Sequence, residues 1–346
     1  MWLIDTETLA LQHFVFEKAP RYAILSHTWG DQEVSLAEFQ HLDDATKAKA
    51  GFSKIEKTCW LAKQEGIRYA WVDTCCIDKS SSAELSESIN SMFAYYHNST
   101  ICYAYIFDWP TDTREAAIIS NRDLSQCRWF TRGWTLQELI APREVRFYDA
   151  TWTPRGHKSD PSLVFRLSIL TGIPIEVLQT GGGVSLSGIP VAQRMSWASG
   201  RETTRTEDMA YCLLGIFQIN IPLLYGEGQG AFRRLQEEII RSSTDLSIFA
   251  WKEPSSGWPG IRPFRPSVSR IFANHPRLFT DLGRCSLLKS PLFSPPEITA
   301  TNRGLRFHGR FFELPKSRVS SFAGSRTESN DLCSSRDIFS GFVVCY

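Results

Sequence analysis

Short apolar runs alternate with amphipathic segments through the first 150 residues, and this alternation leaves few folds open to the chain. The runs have the length of buried strands and are Tyr22–Leu25, Tyr69–Val72, Cys102–Phe107 and Val145–Tyr148. The segments between them repeat apolar residues at helical spacing, and one opens with the capping-box pair Ser81 and Glu84. Buried strands separated by helices form a mostly parallel sheet that is covered on both faces. The pattern therefore predicts an α/β fold with flanking helices.

The composition changes after residue 150, so we predict three regions. Residues 1–150 form the α/β core. Residues 151–251 add a helical region, because residues 204–217 start with the capping-box pair Thr204 and Glu207 and residues 229–241 carry an apolar stripe. Residues 252–346 are rich in Pro and Ser, which predicts a weakly ordered or separate C-terminal region.

The net charge and the apolar runs limit the class of partner, and the cysteines indicate the cellular location. Lys plus Arg is 38 and Asp plus Glu is 37, so the net charge of +1 gives no electrostatic reason to expect nucleic acid. No apolar run approaches the ~20 residues of a membrane span, and the acidic N-terminal segment is unlike a signal peptide. The nine cysteines are odd in number and several lie in apolar runs, which predicts reduced thiols in a cytosolic or nuclear protein, and of these we favour the cytoplasm.

Polar side chains follow the predicted strands at their carboxyl ends. They are Ser26, His27 and Trp29 after the first strand, Asp73 and Asp78 after the second, and Asp108 after the third. Ligands of parallel sheets bind at this edge. His27 has the chemistry of a general base, although no serine or cysteine nucleophile motif accompanies it. Asp73 and Asp78 either bind Mg²⁺ or ribose hydroxyls, or cap turns and the next helix.

The stretch RGWTLQEL, which begins at Arg132, places Trp134 and Glu138 one helical turn apart. A carboxylate beside an indole in a dry cleft has a raised pKa and suits chemistry at a glycosidic bond. The other interpretation is that Trp134 packs in the core and Glu138 is a solvated helix residue.

The stretch RETTRTEDMA contains a second charged group. Arg201, Arg205 and Asp208 either form a fork for a phosphate or carboxylate, or an exposed cap with ion pairs.

Several long motifs resemble the fungal heterokaryon-incompatibility (HET) domain. They occur in order as YAILSHTWG, YAWVDTCCIDKSSSAELSESINSMFAYY, CYAY and RWFTRGWTLQELIAP, followed by VAQRMSWASGRETTRTEDMAYCLLGIF. The resemblance covers residues 1–251. It implies a role in programmed cell death after fusion of unlike fungal cells and in signalling akin to innate immunity.

The same stretch resembles, more remotely, the TIR domain, a flavodoxin-like fold whose plant members carry a W-C-L-x-E-L motif. Trp134, Leu136, Glu138 and Leu139 fall on this motif, whereas Thr135 replaces its cysteine. The resemblance implies that NAD⁺ is the substrate, that Glu138 is the catalytic carboxylate, and that no cofactor is required. Trp29 or Trp134 then stacks on a ring of NAD⁺, and Asp73 lies near ribose hydroxyls.

Two other classes of function remain open. The first is a non-enzymatic signalling module, whose α/β unit self-associates and recruits other cell-death proteins. In that case Glu138 only satisfies a buried hydrogen bond. The second is a metal-dependent hydrolase that uses Asp73 and Asp78. We favour a site without a metal.

Overall fold

A seven-stranded mixed sheet organises the N-terminal part of the chain. The computed structural model describes residues 1–109, 121–181, 186–253, 271–285, 297–301, 304–308, 312–313 and 342–343. The strands of the sheet are β1 (Trp2–Asp5), β2 (Leu11–His13), β3 (Tyr22–His27), β4 (Tyr69–Trp71), β5 (Ile101–Tyr105), β6 (Val145–Tyr148) and β7 (Pro154–His157). Their order across the sheet is β2-β1-β4-β3-β5-β6-β7.

The four strands that the sequence predicts are the four parallel strands at the centre of the sheet, which confirms the α/β class. β4, β3, β5 and β6 run parallel, and β1, β2 and β7 pair antiparallel at the two sides. The sequence did not predict these three outer strands. β2 and β7 are only partly buried, so they lack the continuous apolar run that marks a strand covered on both faces.

The helices vary from one turn to almost five. They are α1 (Leu36–Gln40), α2 (Asp44–Lys47), α3 (Ala50–Gln64), α4 (Ser82–Asn98), α5 (Asn121–Gln126), α6 (Arg128–Thr131), α7 (Thr135–Ile140), α8 (Pro161–Thr171), α9 (Ile175–Thr180), α10 (Val191–Ser196), α11 (Asp208–Tyr211), α12 (Leu214–Phe217) and α13 (Gly230–Ser242). Short 3₁₀ helices occupy Phe16–Lys18, Leu186–Gly188, Leu246–Phe249 and Pro276–Leu282. The chain forms two compact units, Met1–Leu186 with Arg201–Leu223, and Ser187–Gly200 with Leu224–Tyr346.

In the first unit, helices cover the centre of the sheet. α3 packs on β3 and β4, whereas α7 packs on β3 and contacts α4. The hydroxyl of Tyr96 on α4 donates to the carbonyl of Leu25 at 2.9 Å, which ties this helix to the middle strand. α12 lies so close to α4 that a Cβ added to Gly215 would be 2.1 Å from Cβ of Phe93. The two short helices after residue 207 are therefore part of this unit's core.

The predicted helix over residues 204–217 is wrong at its start. The helical structure begins at Asp208 and is divided into α11 and α12. Before it, Glu202 pairs with the segment around Arg132: its N–H donates to the carbonyl of Thr131 at 2.6 Å, and its carbonyl accepts from the N–H of Gly133 at 2.9 Å. Residues 204–207 then form bends and turns. This strand-like pairing competes with a helical start, and Thr204 is exposed rather than acting as a cap.

In the second unit, α13 confirms the predicted apolar stripe, with Phe232, Leu235 and Ile239 buried. The side chain of Gln236 exchanges two hydrogen bonds with the backbone of Ala273, at 2.8 and 3.0 Å. Strands β8 (Glu297–Thr301) and β9 (Gly304–His308) form a hairpin, and β10 (Phe312–Glu313) pairs with β11 (Phe342–Val343).

Much of the predicted C-terminal region, including the serine-rich residues 315–337, lies outside the described residues apart from these strands and residues 271–285. Within the described residues, no helix has both the length and the apolar character that crossing a membrane requires.

Candidate functional site

Glu138 lies inside the first unit, at the carboxyl end of β3. It is 7% exposed, and the hydroxyl of Ser26 donates to its Oε2 at 2.5 Å. The indole N–H of Trp129, on α6, donates to the hydroxyl oxygen of Ser26 at 2.8 Å. An indole N–H is a donor only, so it fixes the serine oxygen as its acceptor and leaves the serine proton for the carboxyl group. Trp129, Ser26 and Glu138 thus form a directed chain of hydrogen bonds.

Burial controls the charge of Glu138. It raises the pKa of this carboxyl group to about 8, and the negative charge of Asp73 acts in the same direction. The hydrogen bonds with Ser26 and Tyr96 and the positive charge of Arg201 oppose the rise. The carboxyl group is therefore mostly protonated at neutral pH, and a cation placed beside it would favour its ionised form.

Tyr96 completes the surroundings of the acid. It is buried, and its hydroxyl donates to the carbonyl of Leu25 at 2.9 Å. Its polar interaction with Glu138 favours the ionised form of the acid, and so acts with Ser26 against the rise of the pKa.

A second network surrounds Asp73, directly after β4. Nε2 of His27 lies 3.0 Å from Oδ1 of Asp73, and the indole N–H of Trp29 donates to Oδ2 at 2.8 Å. The ammonium group of Lys54 lies 3.2 Å from Nδ1 of His27. A charged lysine only donates, so Nδ1 is the acceptor and Nε2–H donates to Asp73. Burial acts to raise the pKa of Asp73, but the bonds from His27 and Trp29 and the charge of Lys79 outweigh it and lower the pKa.

The two networks contain consecutive residues of β3, Ser26 in one and His27 in the other. Ser26 and His27 point to opposite faces of the sheet, as neighbours on a strand do. Ser26 faces α6 and α7, which carry Trp129 and Glu138, whereas His27 faces α3, which carries Lys54. Of the predicted site residues, the structure thus brings Ser26, His27, Trp29, Asp73 and Glu138 to one edge of the sheet, but in two networks. Glu138 is in the buried network, and Trp29, which is 44% exposed, is in the accessible one.

Trp134 is half-buried and immediately precedes α7. The indole that connects to Glu138 through Ser26 belongs instead to Trp129, which the sequence did not predict as a site residue. Its position in the motif RWFTRGWTLQEL is the only sequence signal for it.

Buried cations hold both ends of α7. Nη1 of Arg201, which is 3% exposed, donates to the carbonyl of Arg132 at 2.8 Å and to the hydroxyl of Thr135 at 2.9 Å. The ammonium group of Lys158, which is 1% exposed, donates to the carbonyls of Leu139 at 3.0 Å and Pro142 at 2.5 Å. The first contact fixes the start of the helix, and the second satisfies carbonyls at its end. No motif in the sequence predicts this role of Lys158.

The remaining candidates have structural contacts. Arg205 is exposed whereas Arg201 is buried, so the two guanidinium groups do not share one environment. Asp208 is the first residue of α11. The carboxylate of Asp78 accepts from the N–H and the hydroxyl of Ser80 at 2.8 and 2.6 Å, which is the turn-capping alternative.

Arg132 donates to the hydroxyl of Thr204 at 3.1 Å. The carboxylate of Asp108 accepts from the N–H of Arg128 at 2.7 Å. In the described part of the chain, no three His, Cys, Asp or Glu residues come together as metal ligands.

Two family models and one curated protein are similar to parts of this chain. The model of the family described as heterokaryon incompatibility protein (HET) matches residues 22–119, and that of a domain of unknown function (DUF8212) matches residues 230–306. The vegetative incompatibility protein HET-E-1 of Podospora anserina is 46% identical over 244 residues, which cover 68% of this chain. The chain spans 17% of the length of that relative. No solved structure matches.

Proposed function

The chain carries a heterokaryon incompatibility (HET) domain, and from this premise we propose that it is an effector of fungal self/non-self recognition that triggers programmed cell death. The observation that carries this proposal is the 46% identity over 244 residues to a vegetative incompatibility protein. The matched HET residues include Ser26, His27, Trp29 and Asp73, and so most of the candidate site. The proposed location is the cytoplasm, and the proposed partners are further copies of the chain and other cell-death signalling proteins.

Cell killing tests this role. The full chain is expressed from an inducible promoter in a filamentous fungus, and dead cells are counted with a vital dye. We expect induction to kill a large fraction of cells. Chain that accumulates in folded form without killing, either alone or when fused to a domain that forces self-association, would contradict the role.

The proposed chemistry is hydrolysis of the bond between nicotinamide and ribose in NAD⁺. This bond breaks with its electron pair going to nicotinamide, which leaves as a neutral group, and positive charge develops on the ribose. Ionised Glu138 stabilises that charge, and water then attacks the ribose and releases a proton, which gives ADP-ribose. Two features support the proposal: the acid at the carboxyl end of the central strand, and the order of the parallel strands. Numbered along the chain, that order is second, first, third, fourth, as in flavodoxin-like sheets.

The surroundings of Glu138 suit this role. The carboxyl group, with its pKa of about 8, is stored mainly in its neutral form without substrate. The positively charged nicotinamide ring would lower that pKa, so substrate binding itself promotes the reactive form. Ser26, which can only donate its proton to Glu138 while Trp129 occupies its oxygen, then holds the ionised carboxylate in place.

Nicotinamide release tests the chemistry. Purified wild-type chain is incubated with NAD⁺, alone and under forced self-association, beside Glu138→Gln. The matched control is Glu56→Gln, the same change at an exposed position of α3. We expect release from wild type and the control, and loss of at least about a hundredfold in Glu138→Gln. Equal behaviour of all three proteins in every condition would contradict it.

A non-enzymatic signalling module is the second candidate, and the enclosure of Glu138 favours it. A carboxyl group that is 7% exposed and hydrogen-bonded to Ser26 also fits a purely structural residue. In that case Glu138→Gln keeps cell killing, whereas changes that block self-association abolish it. The killing assay with this variant therefore separates the two candidates.

A further inference from the structure

The network around Asp73 is open to solvent, unlike the network around Glu138. Trp29 is 44% exposed, and the side chain of Asp73 is 20% exposed. Behind them, the side chain of His27 is 1% exposed and is held from its other nitrogen by Lys54. The accessible groups therefore rest on a fixed support, as the groups of a binding site must.

Asp73 has the position and the spare capacity of a ribose ligand. It lies two residues beyond the end of β4, the second of the parallel strands, at the edge of the sheet where ligands bind. In dinucleotide-binding sheets, an acid near the end of the second strand binds ribose hydroxyls. Each oxygen of Asp73 accepts one bond, Oδ1 from His27 and Oδ2 from Trp29. A carboxylate offers about four acceptor positions, so both oxygens can each accept a hydroxyl as well.

Trp29 and Lys79 supply the other two elements of nucleotide recognition. The ammonium group of Lys79 lies 3.7 Å from the centroid of the Trp29 ring. A stacked base stabilises a complex more than an exposed cation–π contact does, so a base can take the place of the ammonium group. The flexible lysine stem then allows the ammonium group to pair with a phosphate.

We propose that Trp29, Asp73 and Lys79 form a ribonucleotide-binding site, in which the indole stacks on the base, the carboxylate binds the ribose hydroxyls and the ammonium group binds the phosphate. In the proposed reaction this is the adenosine half of NAD⁺, and that identification rests on the proposed function. The nucleotide site itself does not rest on it, because none of its contacts involves Glu138.

A second cation–π pair in the same unit provides a matched control. The ammonium group of Lys57 lies 3.9 Å from the Trp60 ring, and Trp60 is 50% exposed on α3. The pair has the same chemistry and a similar exposure. The pair of Lys79 and Trp29 has one further feature: the indole N–H of Trp29 donates to the carboxylate of Asp73, which faces the same surface.

Titration calorimetry of the full chain with AMP tests the site. We expect AMP to bind wild type, and 2′,3′-dideoxy-AMP to bind about tenfold more weakly, because it lacks the hydroxyls that Asp73 accepts. Asp73→Asn should abolish this difference. Lys79 is exposed, so Lys79→Met should spare the fold. This change should weaken the binding of AMP about fivefold and leave the binding of adenosine unchanged. Lys57→Met should bind every ligand as wild type does.

Three results would overturn the inference: no binding of AMP at millimolar concentration, equal binding of AMP and its dideoxy analogue, or the same loss in Lys57→Met as in Lys79→Met. Failure of the proposed chemistry is a separate outcome. If AMP binds as expected and NAD⁺ is not hydrolysed, the site stands and the chemistry fails. If NAD⁺ is hydrolysed but AMP binding is the same in wild type, Asp73→Asn and Lys79→Met, the proposed chemistry stands and only the proposed nucleotide site is wrong.

Discussion

At the scale of single residues, the decisive feature is an acid whose surroundings disfavour its charge. Glu138 accepts a hydrogen bond from Ser26 and lies near the opposing charges of Asp73 and Arg201, but burial dominates and raises its pKa to about 8. The stretch RGWTLQEL and the polar residues after the first strand predicted that Glu138 and Ser26 belong to one site. The contact with Trp129 was not predictable, because residues 103 positions apart in the sequence meet only in the fold.

The raised pKa of Glu138 predicts a pH dependence of stability. The folded state binds this proton up to about pH 8, whereas the unfolded state loses it near the ordinary value of 4.5. Between these values the folded state holds more protons, so the free energy of unfolding falls as pH rises, by up to about 1.4 kcal/mol per pH unit. Glu138→Gln should lack this contribution in urea unfolding measured across the same range. Glu56→Gln, the exposed control, should keep it, and equal slopes in wild type and Glu138→Gln would contradict the prediction.

At the scale of elements, α7 is a short helix held from outside. Its six residues are too few for an independently stable helix, and the buried cations Arg201 and Lys158 satisfy groups at its two ends. The sequence predicted a helix here from its apolar spacing. It did not predict the residues that hold it, because both contacts link segments that are distant in sequence.

Removal of one of these cations should loosen α7 selectively. Lys158→Met leaves the carbonyls of Leu139 and Pro142 without their buried donor, which costs about 1–3 kcal/mol. We expect faster hydrogen exchange in α7, read by mass spectrometry, and little change in α3. Lys57→Met, at an exposed lysine-on-indole pair, serves as the control. Unchanged exchange in α7 would show that Lys158 does not support the helix.

At the scale of the whole molecule, the first compact unit is discontinuous in sequence. Arg201–Leu223 belongs to the same unit as Met1–Leu186, and its helices α11 and α12 add buried residues to the core, including Met209, Tyr211 and Ile216. The sequence predicted the central parallel strands and the major helices of this unit because their periodicities are local. It did not predict the return of residues 201–223, or the pairing of β6 with β7 across residue 150, because neither has a local signal.

Truncation tests this discontinuity. A chain that ends at Leu186 loses Arg201, α11 and α12, and we expect it to unfold without cooperativity and to aggregate. A chain that ends at Leu223 keeps every segment of the first unit and should show a cooperative thermal transition by circular dichroism. Equal cooperativity in both chains would contradict the assignment of residues 201–223 to this core.

The pH dependence of nicotinamide release tests the central claim most directly, because it joins the buried acid to the chemistry. Initial rates with saturating NAD⁺ are measured from pH 5.5 to pH 9 for wild type, Glu138→Gln and Glu56→Gln, a range chosen to bracket the pKa of about 8. We predict that the rates of wild type and Glu56→Gln rise with pH as one carboxyl group ionises, with a midpoint at or below about 8 because the bound cation lowers it. Glu138→Gln should show no such rise. Release that is independent of pH, or the same rise in Glu138→Gln, would contradict a catalytic role for Glu138.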